Sequence, residues 1–141
     1  MSDAIQLVTF ILRDMDTGRE FAKSPFPDLL TFEEEGSLPH IPMAEVSTGG
    51  DLRRAALELA TRKTGLGNFS SIHALPSAEN LSVWLIRRKE PFGSLSRWRH
   101  VLDGKRILLR WTPLDGLQRL ASDSQKMLQT FEQDLLKKDE V

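Results

Sequence analysis

One segment of the chain, residues 51–65, has helical periodicity, and strand-like segments lie on both sides of it. Its leucines and alanines recur at helical spacing, at Leu52, Ala55, Ala56, Leu59 and Ala60. Asp51 stands at the position of an N-cap, and Gly65 stands where a helix often ends in a left-handed residue. The pattern predicts a helix over about 51–63.

The strand candidates are runs of β-branched and aromatic residues that end at glycine, proline or polar turns. They cover residues 6–12, 41–46, 70–75, 80–88 and 107–111, with a short strand at 29–32 and a hairpin partner at 19–23. Near the C-terminus, apolar residues recur at Leu117, Leu120, Leu128, Phe131 and Leu135, and Ser124 fills the vacant position of this series. That spacing predicts an amphipathic helix over about 115–137.

Composition limits the class of protein. The 141 residues fit one domain, residues 1–141, and a formal net charge of −1 argues against a strongly basic nucleic-acid-coating protein or an anionic-membrane binder. The chain has no cysteine, which excludes disulfides, thiolate nucleophiles and cysteine-based metal sites. No apolar run is long enough to span a bilayer, and the first residues do not resemble a secretion signal. We therefore expect a soluble, cytoplasmic domain.

The segment from Ile41 to Leu66 resembles the Nudix box and its flanks without a gap. The retained features are Pro42, Val46, Gly49, Asp51-Leu52, Ala55-Ala56 and Thr64-Gly65-Leu66. Residues 107–114 are similar to the strand end that precedes the last helix of the family. The resemblance spans about residues 5–136. It implies a Nudix-like α/β/α sandwich with a mixed central sheet, the box-type helix at about 51–63 and the C-terminal helix at about 115–137.

The resemblance also implies where catalytic groups would stand, and these positions have changed. In Nudix enzymes the box carboxylates hold Mg²⁺ or Mn²⁺ against a diphosphate, which water attacks. Matched by position, Ala44 stands where the box has its first glycine, and Gly50 stands where it has the glutamate before the helix. Glu58 stands at the position of the box arginine. Leu59, Arg62 and Lys63 stand at the positions of the three glutamates that follow. Four carboxylates thus become a pair of apolar residues and a pair of cations. A divalent ion about 4 Å from one such cation is repelled by roughly 8 kcal/mol at an effective dielectric of about 20. We expect no metal ligands and no cofactor, with Mg²⁺ or Mn²⁺ involved only in a divergent enzyme.

The basic residues of the predicted helix allow two interpretations. Arg54, Glu58 and Arg62 follow one another at intervals of four and so share a helix face, with Lys63 beside it and Arg53 upstream. Guanidinium groups bind phosphate without a metal, so the face is a candidate anion site. The same spacing also fits a solvated face with ion pairs of roughly 0.2–0.5 kcal/mol each.

Other candidate residues each have a structural alternative. Glu45 and Glu58 are candidate general bases or displaced metal ligands, or else surface carboxylates. Trp98 lies in an Arg-Trp-Arg-His segment and is a candidate to stack on a base, or to cover a sheet edge. The acidic run 33–35 fits a solvated loop as well as a cation site, and His73 within an apolar strand fits a partly buried imidazole.

Three functions remain open from the sequence. The first is a Nudix-like domain without box chemistry that binds a phosphorylated or nucleotide-like ligand through Arg54, Arg62, Lys63 and Trp98. The second is a divergent hydrolase of nucleoside diphosphate-linked compounds that uses carboxylates outside the usual box. The third is a purely structural or protein-partner role, with the face of the first helix or the apolar stripe of the C-terminal helix as the interface, including a homodimer. Fold alone does not choose among them.

Overall fold

Two helices and seven strands make up the described part of the chain. The computed structural model describes residues 4–14, 28–47, 49–77, 80–89, 97–102, 104–113 and 120–136, with the backbone only at 14, 97–102, 112–113 and 136. The strands are β1 Ala4–Asp14, β2 Asp28–Glu34, β3 Met43–Ser47, β4 Phe69–Leu75, β5 Leu81–Lys89, β6 Arg97–Leu102 and β7 Lys105–Pro113. The helices are α1 Leu52–Thr64 and α2 Ser122–Leu136.

All seven strands join one mixed sheet; six of them follow the order β4-β5-β1-β2-β7-β6, and β3 pairs with β1 beside this path. The pairing of β1 with β5 is parallel and every other pairing is antiparallel. β1 is long enough to hold two neighbours along one edge. Its first half pairs with β3, from Ala4 opposite Ser47 onward, and its far end pairs with β2 at Leu12 opposite Leu29. β1 is therefore the strand that organises the sheet.

The two helices cover opposite faces of the sheet. On one face, Phe10 of β1 and Phe131 of α2 are buried with ring centroids 6.0 Å apart, and Leu128 and Leu135 join the same core. On the other face, α1 packs its buried alanines and leucine against β1 and its neighbours. The predicted α/β/α sandwich with a mixed central sheet is confirmed. The apolar stripe of α2 packs on the domain's own sheet.

The ends of α1 follow the predicted capping pattern. The Asp51 carboxylate accepts a hydrogen bond from the backbone N–H of Arg54 at 3.3 Å, which satisfies one of the free N–H groups of the first turn. Gly65 ends the helix in the left-handed region, with a φ of 75°, and donates its N–H to the carbonyl of Thr61 at 2.7 Å. The observed helix, Leu52–Thr64, is the predicted one shifted by a residue.

Most strand predictions fall within two residues of the observed bounds, and the exceptions are informative. β6 was not predicted, because a strand that alternates arginine with Trp98 and His100 has no apolar pattern; its place at the sheet edge permits this polarity. His73 is exposed in β4 and not partly buried as predicted. α2 runs from Ser122 to Leu136, and the earlier part of the predicted C-terminal helix, residues 115–119, lies outside the described residues, as does the hairpin partner at 19–23. Neither described helix is long and apolar enough to cross a membrane.

Ser124 fixes the start of α2 to the segment that leads into β3. Its hydroxyl is fully buried and accepts the backbone N–H of Ile41 at 3.1 Å, and the next contact along this seam is from the N–H of Ala121 to the carbonyl of Pro39 at 2.8 Å. The serine in the apolar series thus supplies an acceptor that leucine could not.

We expect Ser124→Ala to lower the free energy of unfolding by about 1–3 kcal/mol, because the buried N–H of Ile41 loses its acceptor. Urea unfolding measures the change. Thr130→Ala is the matched control, since Thr130 is an exposed hydroxyl residue of the same helix. Its effect is expected within about 0.5 kcal/mol of zero. Equal effects of the two substitutions would contradict the anchoring role of Ser124.

Candidate functional site

α1 carries a strong positive charge on a chain that is close to neutral. Its four basic residues, Arg53, Arg54, Arg62 and Lys63, stand against one acidic residue, Glu58. The Arg54 guanidinium donates to the Glu58 carboxylate at 3.2 Å, and these side chains are 79% and 66% exposed. This pair is the predicted ion pair between residues four apart. It neutralises Arg54 and leaves Arg53 in the first turn and the adjacent cations Arg62 and Lys63 in the last turn.

Arg62 and Lys63 form the basic last turn of α1. Arg62 is exposed, and Lys63 is half-buried at the rim of the helix side that faces the sheet. Neither forms an ion pair with any group in the described part of the chain. The negative end of the helix dipole stabilises cations at this position. Two adjacent cations are therefore held at the end of α1 with their donors available to an anion.

Residue 59, which lies between the start of α1 and the two cations Arg62 and Lys63, is apolar. Leu59, where the resemblance implies a glutamate, is 2% exposed and packs in a cluster with Leu7 and Ala56. Ala44 and Val46 of β3 pack against the same cluster. Among the described residues, no three histidine, aspartate or glutamate side chains lie close enough to hold an ion. Side chains with no oxygen thus surround Leu59, so this position does not offer the oxygen ligands that a divalent metal prefers.

Glu45, the other candidate base, lies on the opposite side of the sheet from α1. Strand residues alternate between faces, and its neighbours Ala44 and Val46 face the α1 side. Glu45 is exposed beside a pocket that it lines together with Met43 and with Asp123 of α2. The structure therefore does not bring Glu45 together with Glu58 or with the basic end of α1.

Trp98, the candidate stacking residue, is described through its backbone alone. It lies in the edge strand β6 and is the register partner of Leu109 in β7. Leu109 is buried in the core on the α1 side of the sheet. The prediction that the Trp98 side chain contacts a ligand lies outside the described side chains and stays a prediction.

Two arginines at strand ends were missed by sequence reasoning. Arg13 and Arg88 are register partners in the parallel pairing of β1 with β5. Arg13 is buried, with its guanidinium 3.6 Å from the Asp28 carboxylate and 5.9 Å from the ring centre of Trp111. Arg88 donates to the carbonyl of Gly67, just beyond α1, at 3.0 Å, and burial lowers the pKa of its guanidinium. In the sequence, each arginine follows an apolar strand segment and resembles an ordinary solvent-exposed residue. Only the register of the parallel strands brings the two together.

Comparison with known proteins identifies the fold. No protein-family model and no curated protein matches the sequence. Among solved structures, an Ap4A hydrolase from C. elegans in a binary complex is similar at 14% identity and a TM-score of 0.53, over 92% of this chain and 97% of that one. The NUDIX domain of Shewanella oneidensis NrtR complexed with ADP ribose is similar at 10% identity and a TM-score of 0.52, over 96% and 90%. An ADP-ribose pyrophosphatase from Streptococcus suis is similar at 10% identity and a TM-score of 0.53, over 99% and 96%. The chain therefore has the Nudix fold.

Proposed function

We propose that this protein is a Nudix-fold binding module that holds a phosphorylated, nucleotide-like ligand without a metal ion. The observation that carries the proposal is the pairing of two features of α1. Its last turn presents the available cations Arg62 and Lys63, and the turn before it presents the buried Leu59 in place of an acidic ligand.

The chemistry of the last turn suits an anion directly. A guanidinium offers a planar fork of N–H donors that matches two oxygens of one phosphate, and an ammonium adds three further donors. Arg62 supplies the first and Lys63 the second, from adjacent positions of a helix with a fixed C-terminal cap at Gly65. In a metal-dependent site a divalent ion neutralises phosphate charge; here the protein's own cations do so.

The placement of the two candidate carboxylates supports binding over hydrolysis. Glu58 is exposed and already accepts a hydrogen bond from Arg54. Glu45 lies on the α2 side of the sheet, across from the basic end of α1. A general base must come within hydrogen-bond reach of the attacking water, directly or through one further water. Glu45 therefore lies across the sheet from a phosphate that Arg62 and Lys63 would hold, and Glu58, one turn before Arg62, is already paired with Arg54.

The ligand class follows from charge and from the fold. A diphosphate offers two anionic groups to two adjacent cations, and a nucleoside adds a flat apolar ring. The similar NUDIX domain of NrtR is described in complex with ADP ribose, which contains both parts. ADP-ribose is therefore the first probe, with ADP and inorganic diphosphate as smaller probes that separate the contribution of the phosphates from that of the sugar and base.

Calorimetric titration of ADP-ribose in EDTA, repeated with Mg²⁺, tests the proposal. We expect binding in EDTA, and equal or weaker binding in Mg²⁺, because Mg²⁺ neutralises part of the ligand charge that Arg62 and Lys63 recognise. Chromatography of the ADP-ribose after long incubation with Mg²⁺ or Mn²⁺ should show intact ligand. Binding that requires the metal, or metal-dependent release of AMP, would establish the divergent hydrolase instead.

A further inference from the structure

β7 has one face in the core and one face outside it. Three alternate residues of β7 are buried in the core on the α1 side of the sheet: Ile107, Leu109 and Trp111. On the α2 side, the core reaches Leu29 of β2 and contains no described residue of β7. α2 therefore leaves the second face of β7 uncovered. The residues that alternate onto this face are Arg106, Leu108 and Arg110.

The pairing of β6 with β7 places two more arginines on the uncovered face. Residues directly opposite each other in an antiparallel pair share a face of the sheet. Arg97 is the register partner of Arg110, and Arg99 is the register partner of Leu108. We call Arg97, Arg99, Arg106 and Arg110 the arginine face. Like charges at directly opposite positions destabilise a strand pair, so the pairing of Arg97 with Arg110 gains from a bound anion.

Arg110 has no partner for its charge in the described part of the chain. It is half-buried, and its Nε atom is shut off from solvent and forms no hydrogen bond. Glu33 of β2 lies on the same face as the register partner of Leu108, but neither Glu33 nor Arg110 is in an ion pair with a described residue. A desolvated charge without a counter-charge is costly. An anion on the arginine face would remove this cost.

We infer that the arginine face binds a single strand of nucleic acid through its phosphates. Its cations stand on three successive rungs of the β6–β7 pair, two residues apart, so their positions repeat at about 6.8 Å along the strands. A nucleic-acid strand carries one negative charge on every nucleotide, whatever its base sequence. The uncovered face is two strands wide, roughly 10 Å, which suits one sugar–phosphate backbone. Guanidinium groups match the oxygens of a phosphate with paired N–H donors.

The contact should not depend on base sequence. Specific recognition of a single strand needs groups that stack on bases or read their edges. The aromatic residue of β6, Trp98, is the register partner of Leu109 and so belongs to the other face of the hairpin. The formal net charge of the whole chain is −1, so the attraction is local to the arginine face. Oligouridylate and oligoadenylate should therefore bind equally well.

Fluorescence anisotropy of a labelled oligouridylate of about 16 nucleotides, measured over a salt series, tests the inference. Four phosphate contacts predict that log K falls with log salt at a slope of about −2.8, which is about 0.7 for each contact. Arg106→Gln with Arg110→Gln removes two contacts, so the slope should become about −1.4 and binding at low salt should weaken at least about tenfold. Urea unfolding should show this variant no less stable than the wild type, because it loses the unpaired charge of Arg110.

Arg53→Gln with Lys126→Gln is the matched control, because it removes the same charge from exposed positions of the two helices. It should leave the slope unchanged. A wild-type protein that does not bind the strand at low salt, or equal losses in the two double variants, would overturn the inference. So would a loss found in Arg62→Gln with Lys63→Gln and not in the arginine face, or a poly-glutamate peptide that competes as well as unlabelled oligouridylate, since the occupant would then be an acidic peptide. ADP-ribose binding is tested separately, because its proposed contacts lie on α1.

Discussion

Leu59→Glu is expected to lower the free energy of unfolding by about 3–5 kcal/mol at pH 7, with or without Mg²⁺, because it puts an unpaired carboxylate into an apolar cluster. The substitution replaces the leucine by the residue that the resemblance to the Nudix box implies at this position. In a site that still held a metal, the same change would add a ligand and a divalent ion would stabilise the folded variant. Urea unfolding in EDTA and in Mg²⁺ or Mn²⁺ distinguishes the two cases.

The pH dependence of this loss gives a second check. Burial among Leu7, Ala56 and their neighbours would raise the pKa of a carboxyl at position 59 above its unfolded value of about 4.3. The penalty for ionisation is then absent below about pH 4.3 and grows as pH rises toward the folded-state pKa. Leu59→Glu should therefore match Leu59→Gln near pH 4 and become the less stable of the two at pH 7.

Leu59→Met is the packing control, since it keeps the volume and the apolar character of the side chain and should cost less than about 1.5 kcal/mol. A loss of stability that is large in EDTA but recovered in Mn²⁺ would contradict the apolar interpretation of this site. So would a Leu59→Glu protein as stable as the wild type at pH 7.

The parts of the fold that the sequence predicted are those in which local preference and tertiary packing agree. α1 combines an N-cap at Asp51, apolar spacing and a terminal glycine at Gly65, and each of these acts within a few residues. The central strands β1 and β5 contribute buried residues to the cores on both faces of the sheet, so apolar residues predominate at positions 7–12 and 83–86. Local and long-range forces point the same way in these elements, and their bounds follow from the sequence.

The parts that escaped prediction depend on the partner across the sheet. β6 has a polar sequence and becomes a strand because β7 pairs with it through the turn at Gly104, whose φ is 74°. Arg13 is buried because Asp28 and Trp111 approach it from β2 and β7, strands far along the chain. The residues next to Arg13 in the sequence do not include these contacts, so local sequence patterns do not predict its burial. The same limit applies to the site.

In the candidate site, too, the features set by local spacing were predictable and those set by strand register were not. The i, i+4 spacing predicted the Arg54–Glu58 ion pair, because both members lie on one helix. Spacing could not tell that Glu45 faces α2, since a strand residue's side depends on register, and a shift of one residue reverses it. The proposed anion site therefore centres on the last turn of α1, where Arg62 and Lys63 have no ion-pair partners among the described residues.

Neutralising both cations, by Arg62→Gln with Lys63→Gln, is expected to weaken ADP-ribose binding about 100-fold or more. Each removed charge takes away a hydrogen bond to a charged group, worth about 1.5–3 kcal/mol, and the two losses together correspond to at least two decades in Kd. Stability should change little, because Arg62 is exposed and Lys63 only half-buried. Calorimetry in EDTA measures the binding, and urea unfolding confirms that the variant is folded.

The matched control is Lys105→Gln with Arg106→Gln, two adjacent exposed cations at the β6–β7 turn. It removes the same net charge from a different part of the surface, so it reports the effect of overall charge on an anionic ligand, which salt at about 0.15 M screens beyond roughly 8 Å. Only a loss specific to the α1 pair supports direct contact with phosphate. Equal losses in the two double variants would mean that ADP-ribose responds to the general electrostatic field of the protein, and an unchanged Kd in the α1 variant would mean that its phosphates bind elsewhere.

Arg54→Gln should weaken ADP-ribose binding less than a substitution of either Arg62 or Lys63, because the Arg54 guanidinium is already neutralised by Glu58 at 3.2 Å.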